Sequence, residues 1–94
     1  MKKPLSDKEI LVNTICNNMR EIITKNHESY EADLAGLIIG HLTEYEKAVD
    51  LATLLVIVKF WLVEIQDENG YSYENHIATV TLRAITKYEE TNGN

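Results

Sequence analysis

The chain has 94 residues, 45% of them hydrophobic, and a formal net charge of −6 at pH 7. This length suffices for one domain with its own core, and this composition argues against disorder of the whole chain. The acidic charge argues against nucleic acid as the main partner, since phosphate binding needs positive charge, and it is compatible with a basic protein partner or with a divalent metal ion. The alternative is that the charge only keeps a small protein soluble.

The sequence shows no sign of secretion or of membrane insertion. Its first four residues, Met-Lys-Lys-Pro, lead into a polar stretch and not into an apolar signal segment. The most apolar stretch is interrupted by Asp50, Lys59 and Glu64, so we expect no membrane span. The only cysteine, Cys16, cannot form an internal disulfide. These features predict a cytoplasmic protein.

The first predicted helix begins at Ser6. Ser6 and Glu9 form a Ser-x-x-Glu capping box, the usual signature of a helix start. Apolar residues then recur every three or four positions as far as about Asn26, which is the spacing of one helix face. Cys16 lies in this apolar band and is interpreted as a small core side chain.

The second predicted helix runs over about residues 30–42 and contains two glycines, Gly36 and Gly40, away from its apolar face. Together they cost this helix roughly 2 kcal/mol relative to alanine, so a packing reason is expected. Glycines four residues apart allow another backbone to approach closely. That backbone belongs either to an internal helix crossing or to a subunit interface, and both interpretations stay open at this point.

The third predicted helix, residues 44–66, contains no Gly or Pro. Thr43 and Glu46 match the Thr-x-x-Glu capping box and predict its start. Apart from a narrow polar strip, the helix is apolar all round, which is typical of a helix surrounded by neighbours. One apolar flank therefore remains for a second subunit, with Leu54 and Trp61 as the interface candidates.

The last helix is predicted over about 73–90, behind a stop signal at Asp67-Glu68-Asn69-Gly70 and a cap at Ser72. Four helices with short connections and no strand pattern predict an all-α fold, an antiparallel up-down four-helix bundle that forms a homodimer. The expected domain organisation is a flexible N-terminus, one helical domain and a flexible tail: residues 1–5, 6–90 and 91–94.

One group of acidic residues could carry chemistry. Glu28 and Glu31 fall on the apolar side of the second helix, and Glu46 and Asp50 share the polar strip of the third. If the two helices pack antiparallel, the four carboxylates converge. Carboxylates at close quarters repel unless a hard cation such as Mg²⁺ lies between them. Such a site would hold nucleotide phosphates and activate water.

These residues form a two-part pattern: Glu28-x-x-Glu31 and, after a gap, Glu46-Lys-Ala-Val-Asp50 followed by LATLLVIV. Over residues 28–66 the pattern resembles the all-helical MazG-type nucleotide pyrophosphohydrolases, which carry ExxE on one helix and ExxD on the next. The second acidic pair is four residues apart here, one more than in that family. The resemblance implies a dimeric, Mg²⁺-dependent hydrolase with these four carboxylates as metal ligands.

Under this alternative, Lys47 or Lys87 would contact the phosphates. The other interpretation is that the polar strip is a solvated helix face and that the glutamates near residue 30 favour a helix N-terminus through its dipole. We find no Gly-rich phosphate loop, HExxH, CxxC or serine elbow in the sequence. The balance favours a protein that is not an enzyme and holds no cofactor.

The preferred hypothesis is a small acidic protein-binding module that occupies the surface of a partner protein. Inhibitors or accessory factors of phages and mobile elements are often of this kind, which is an argument by analogy. A purely structural oligomerisation unit is a further alternative. The interface candidates are Gly36, Gly40, Leu54 and Trp61, and the acidic residues expected to face a basic partner are Asp67, Glu68, Glu89 and Glu90.

Overall fold

The structure is a computed structural model that describes residues 6–25, 27–45, 50–68 and 72–92. Every regular element in these ranges is a helix, which confirms the all-α class. None of the described helices is both long enough and apolar enough to cross a membrane. The helices are α1 (Asp7–Lys25), α2 (Tyr30–Tyr45), α3 (Leu51–Glu68) and α4 (Tyr73–Asn92).

Serine side chains cap three of the helices. At α1 the Ser6 N–H donates to Oε1 of Glu9 at 3.0 Å and the Glu9 N–H donates to Oγ of Ser6 at 3.2 Å, which confirms the predicted capping box. Oγ of Ser29 accepts the Ala32 N–H at α2, and Ser72 plays the same role at α4. The hydrogen bonds from the backbone and side chain of Ser6 lower the pKa of Glu9.

We expect Glu9→Gln to destabilise the protein at neutral pH and the difference to disappear in acid. The ionised carboxylate holds the cap, and its pKa in the folded state is below the ordinary value of 4.5. Its contribution is therefore fully present above the unfolded pKa and is lost as the pH falls through the lowered folded value. Thermal unfolding of both proteins across the acidic range measures this. A gap of constant size at every pH would contradict it.

The start of the third helix differs from the prediction. Thr43 is not a cap but lies inside α2, where its hydroxyl donates to the Ile39 carbonyl at 2.9 Å. Threonine satisfies its hydroxyl in this way within a helix, so a Thr-x-x-Glu pattern does not by itself mark a start. α2 continues to Tyr45, and α3 begins after Asp50. Residues 46–49, including Glu46, lie outside the described residues.

Polar contacts between helices show their directions. Lys59 pairs with Glu89 and Gln66 donates to Thr79, so α3 and α4 run in opposite directions. Asn18 donates to Thr81 at 2.9 Å, while the start of α4 contacts the end of α1. α1 and α4 are therefore also antiparallel. α2 packs against both α1 and α3, so that the four helices enclose one core.

The core is built from the inward stripes of all four helices. Cys16 is buried within it, as expected for a small core side chain. α4 extends two residues beyond its predicted end, to Asn92. The predicted flexible N-terminus lies outside the described residues. The largest fully buried side chains are Ile15, Met19, Ile22, Ile38, Leu42, Leu54, Leu55, Val58, Leu62, Ile65, Thr81 and Ile85.

Candidate protein-binding face

The exposed side of α3 is apolar. Val56, Phe60 and Val63 are 64%, 55% and 44% exposed. Their spacing of four and then three residues places them on one side of the helix, so they form a continuous stripe. No helix among the described residues covers this stripe, which makes it the most prominent surface feature of α3.

The flank of α3 chosen as an interface from the sequence must be corrected. Leu54 is 2% exposed and belongs to the core, so it offers no surface to a second molecule. Trp61 is partly buried and packs its ring edge-on against His41, with 5.6 Å between the ring centroids. The Leu54 side of α3 faces inward because α4 engages the helix through Lys59 and α2 engages it through Trp61.

Two further exposed apolar side chains lie where α2 packs against α3. The ring of His41 on α2 meets that of Trp61 on α3. Leu37 lies one helical turn before His41, Ile57 lies one turn before Trp61, and both Leu37 and Ile57 are exposed. Thr53 and Glu64 lie between the stripe and Ile57 on the helix, so the surface that continues from α3 onto α2 is apolar with a polar strip across it. We call it the α2–α3 face and define it by its five exposed apolar side chains: Leu37, Val56, Ile57, Phe60 and Val63.

Both glycines of α2 are open to solvent on the outer side of this helix. A Cβ added to Gly36 or Gly40 would meet no atom within 4 Å among its possible neighbours. Within the described chain, these glycines therefore do not serve an internal helix crossing, which was one of the two explanations open from the sequence. The remaining explanation, close approach by another molecule, stays a prediction.

The α2–α3 face is as large as the largest apolar patch of a typical monomer. Its five side chains expose roughly 450 Å² of apolar surface, whereas the largest patch on a typical monomer is about 300–600 Å² and is often functional. The five members carry no charge. Lys59 borders the stripe on the α4 side, where its ammonium donates to Oε2 of Glu89 at 2.9 Å, and Glu64 borders it on the α2 side.

The acidic candidates lie in different surroundings. Glu89 is held in the ion pair with Lys59, whereas Glu90 is exposed at the end of α4. Both line an open cleft of about 510 Å³, together with Asp50 at the start of α3. Asp67 and Glu68 belong to the last turn of α3, and their side chains lie outside what the structure describes.

The proposed carboxylate site requires residues from both ends of the bundle. Glu28 and Glu31 follow the end of α1, and that end meets the start of α4, where the Lys25 ammonium lies 5.0 Å from the Tyr73 ring. Glu28 is exposed, and Glu31 is buried in the first turn of α2. These two glutamates thus lie at the end of the bundle where α4 begins.

Asp50 lies at the other end. It lines a cleft with Asn92, the last residue of α4, and the axis of α4 between Tyr73 and Asn92 is roughly 28 Å long. An antiparallel packing of α2 and α3 therefore separates the predicted ligands instead of joining them. Glu46 lies outside the described residues. Within the described part of the chain, no three His, Cys, Asp or Glu side chains are grouped to hold a metal ion.

No protein family, curated protein or solved structure matches this chain. The resemblance to MazG-type hydrolases thus has no support from a family match. The site with the strongest geometric support is the α2–α3 face. The sequence identified Gly36, Gly40 and Trp61 as interface candidates, but it placed the interface of α3 on the flank of Leu54 and not on the stripe. One signal was present in the sequence: Lys59 and Glu64 border the arc that holds Val56, Phe60 and Val63.

Proposed function

We propose that this protein is a non-enzymatic binding module that acts by occupying the surface of another protein. Its architecture in this proposal is an antiparallel up-down bundle that forms a homodimer in the cytoplasm. The opposite directions of α1 and α4 and of α3 and α4 support this topology, as do the short connections at residues 26–29 and 46–50.

The observation that carries the proposal is the exposed α2–α3 face. At about 25 cal/mol per Å², covering roughly 450 Å² contributes on the order of 10 kcal/mol on this side of an interface. This contribution acts against a cost of association of about 4–15 kcal/mol, and the packing of individual side chains such as Phe60 decides the affinity. A surface of this size and composition is typical of protein interaction sites.

The charge of the chain supports a basic partner protein that also contacts the surface outside the α2–α3 face. A net charge of −6 attracts positive proteins and speeds their encounter, while the uncharged stripe supplies the contact that excludes water. The exposed carboxylates at the α4 end, Asp50 and Glu90, are the described groups best placed to meet positive side chains.

We expect Phe60→Glu to abolish the capture of partner protein from an extract of the source cells, because it places a carboxylate at the centre of the stripe. Val80→Glu is the matched control. Val80 is also exposed, but it lies two turns after Tyr73, whose hydroxyl contacts Glu21, and so faces the α1 side. Quantitative mass spectrometry of both baits and the wild type measures the effect. Equal capture by all three would exclude the face as a binding site.

A second arm of this experiment tests the charge. The double reversal Glu89→Lys and Glu90→Lys should weaken capture at low salt and flatten its dependence on salt concentration, because rim charges act mainly through the encounter rate. The Lys59–Glu89 pair is at the surface and is worth about 0–1 kcal/mol, so the fold survives the reversal. Capture with an unchanged salt dependence would show that the acidic end does not contact the partner.

A further inference from the structure

We infer that the α2–α3 face is covered by a second copy of this chain, with the two α3 helices packed antiparallel about a two-fold axis near Phe60. This inference rests on the proposed function, because it assigns the homodimer of that proposal to the α2–α3 face and leaves the acidic ends of the bundle for the partner protein. It follows from two properties of the face: the area that it exposes and the positions of its side chains on α3 and α2.

The area matches the requirement of a homodimer. A standard interface buries about 800 Å² on each partner, and about 65% of this area is apolar in homodimers. Each copy must therefore supply roughly 500 Å² of apolar surface. The five side chains of the α2–α3 face expose roughly this amount. A Cβ added at Gly36 or Gly40 would meet nothing within 4 Å, so these positions of α2 set no steric limit on a second backbone.

The spacing of the stripe specifies the orientation. An axis crossing α3 between residues 59 and 60 brings the two Phe60 rings together and places Val56 of one copy against Val63 of the other. Glu64 is then nine residues along α3 from its equivalent, roughly 13 Å, which exceeds the screening length of about 10 Å. A parallel arrangement would instead pair Val56 with Val56 and place Leu37 of the two copies on opposite sides of the interface, whereas antiparallel packing places both on the same side.

Sedimentation equilibrium of the purified chain tests the association. We expect a mass of twice 10.8 kDa for the wild type and for Val80→Glu. Val56→Glu should raise the dimer dissociation constant by about 100-fold or more, because the dimer would bury an unpaired carboxylate. Val56 is largely exposed within one copy, so circular dichroism should show unchanged helicity. A wild type that stays monomeric from micromolar to millimolar concentration, or a dimer that tolerates Val56→Glu, would overturn the inference.

Cysteine cross-linking tests the orientation. Val56→Cys and Val63→Cys variants, mixed and allowed to exchange subunits, should form a disulfide between unlike chains, and each variant alone should form little. Cys16 is buried, so the wild type gives a low background. Cross-linking of each variant with itself alone would overturn the antiparallel arrangement. If the protein is monomeric but Phe60→Glu still removes capture of another protein, the inference fails while the proposed function stands.

Discussion

Leu54→Ala is expected to lower the free energy of unfolding by about 2–5 kcal/mol, whereas Val56→Ala, two residues further along α3, should change it by less than about 0.5 kcal/mol in the monomer. Leu54 is almost fully buried, and its truncation leaves a cavity that the closely packed helices fill only in part. The Val56 side chain is mostly in contact with solvent, so its removal creates no cavity.

Urea unfolding at low protein concentration measures both values without a contribution from self-association. The difference corresponds to a shift of roughly 10–40 °C in the melting temperature of a domain of this size. Similar costs at the two positions would mean that α3 is rotated relative to its neighbours and that the stripe is not exposed. Raising the protein concentration gives a second comparison. The difference between Val56→Ala and the wild type should then grow, because this variant associates more weakly, whereas the difference between Leu54→Ala and the wild type should stay the same.

Thr81→Val is expected to cost about 1–2 kcal/mol although it preserves the shape of the side chain. The Thr81 side chain is fully buried, and its hydroxyl accepts a hydrogen bond from Nδ2 of Asn18 at 2.9 Å and donates one to the Ile77 carbonyl at 2.8 Å. Valine removes the acceptor and leaves the amide of Asn18, which is half-buried, without its partner on α4.

A double-mutant cycle with Asn18→Ala separates this hydrogen bond from the effects of each side chain alone. We expect a coupling free energy of about 1 kcal/mol between Asn18 and Thr81. Additive effects of the two substitutions would mean that the contact does not stabilise the pairing of α1 with α4. The result bears on the proposed function because a fixed α1–α4 pairing helps determine which side of α3 is left for a partner.

The sequence determined the number and type of the elements. Capping serines and the spacing of apolar residues act within a few positions of the chain, so the start of α1 and that of α4 were predicted correctly. The buried position of Cys16 followed from the same local periodicity. The candidate binding site was predicted only in part, because Gly36 and Gly40 were left open between an internal crossing and an interface, and the interface of α3 was assigned to the Leu54 flank.

The tertiary structure decided which flank of α3 is buried. This helix is apolar nearly all round, so its periodicity does not distinguish the Leu54 flank from the Val56 flank. The choice depends on contacts between residues distant in sequence, such as Lys59 with Glu89 on α4 and Trp61 with His41 on α2. These contacts set the rotation of α3 about its own axis, and that rotation leaves Val56, Phe60 and Val63 facing solvent.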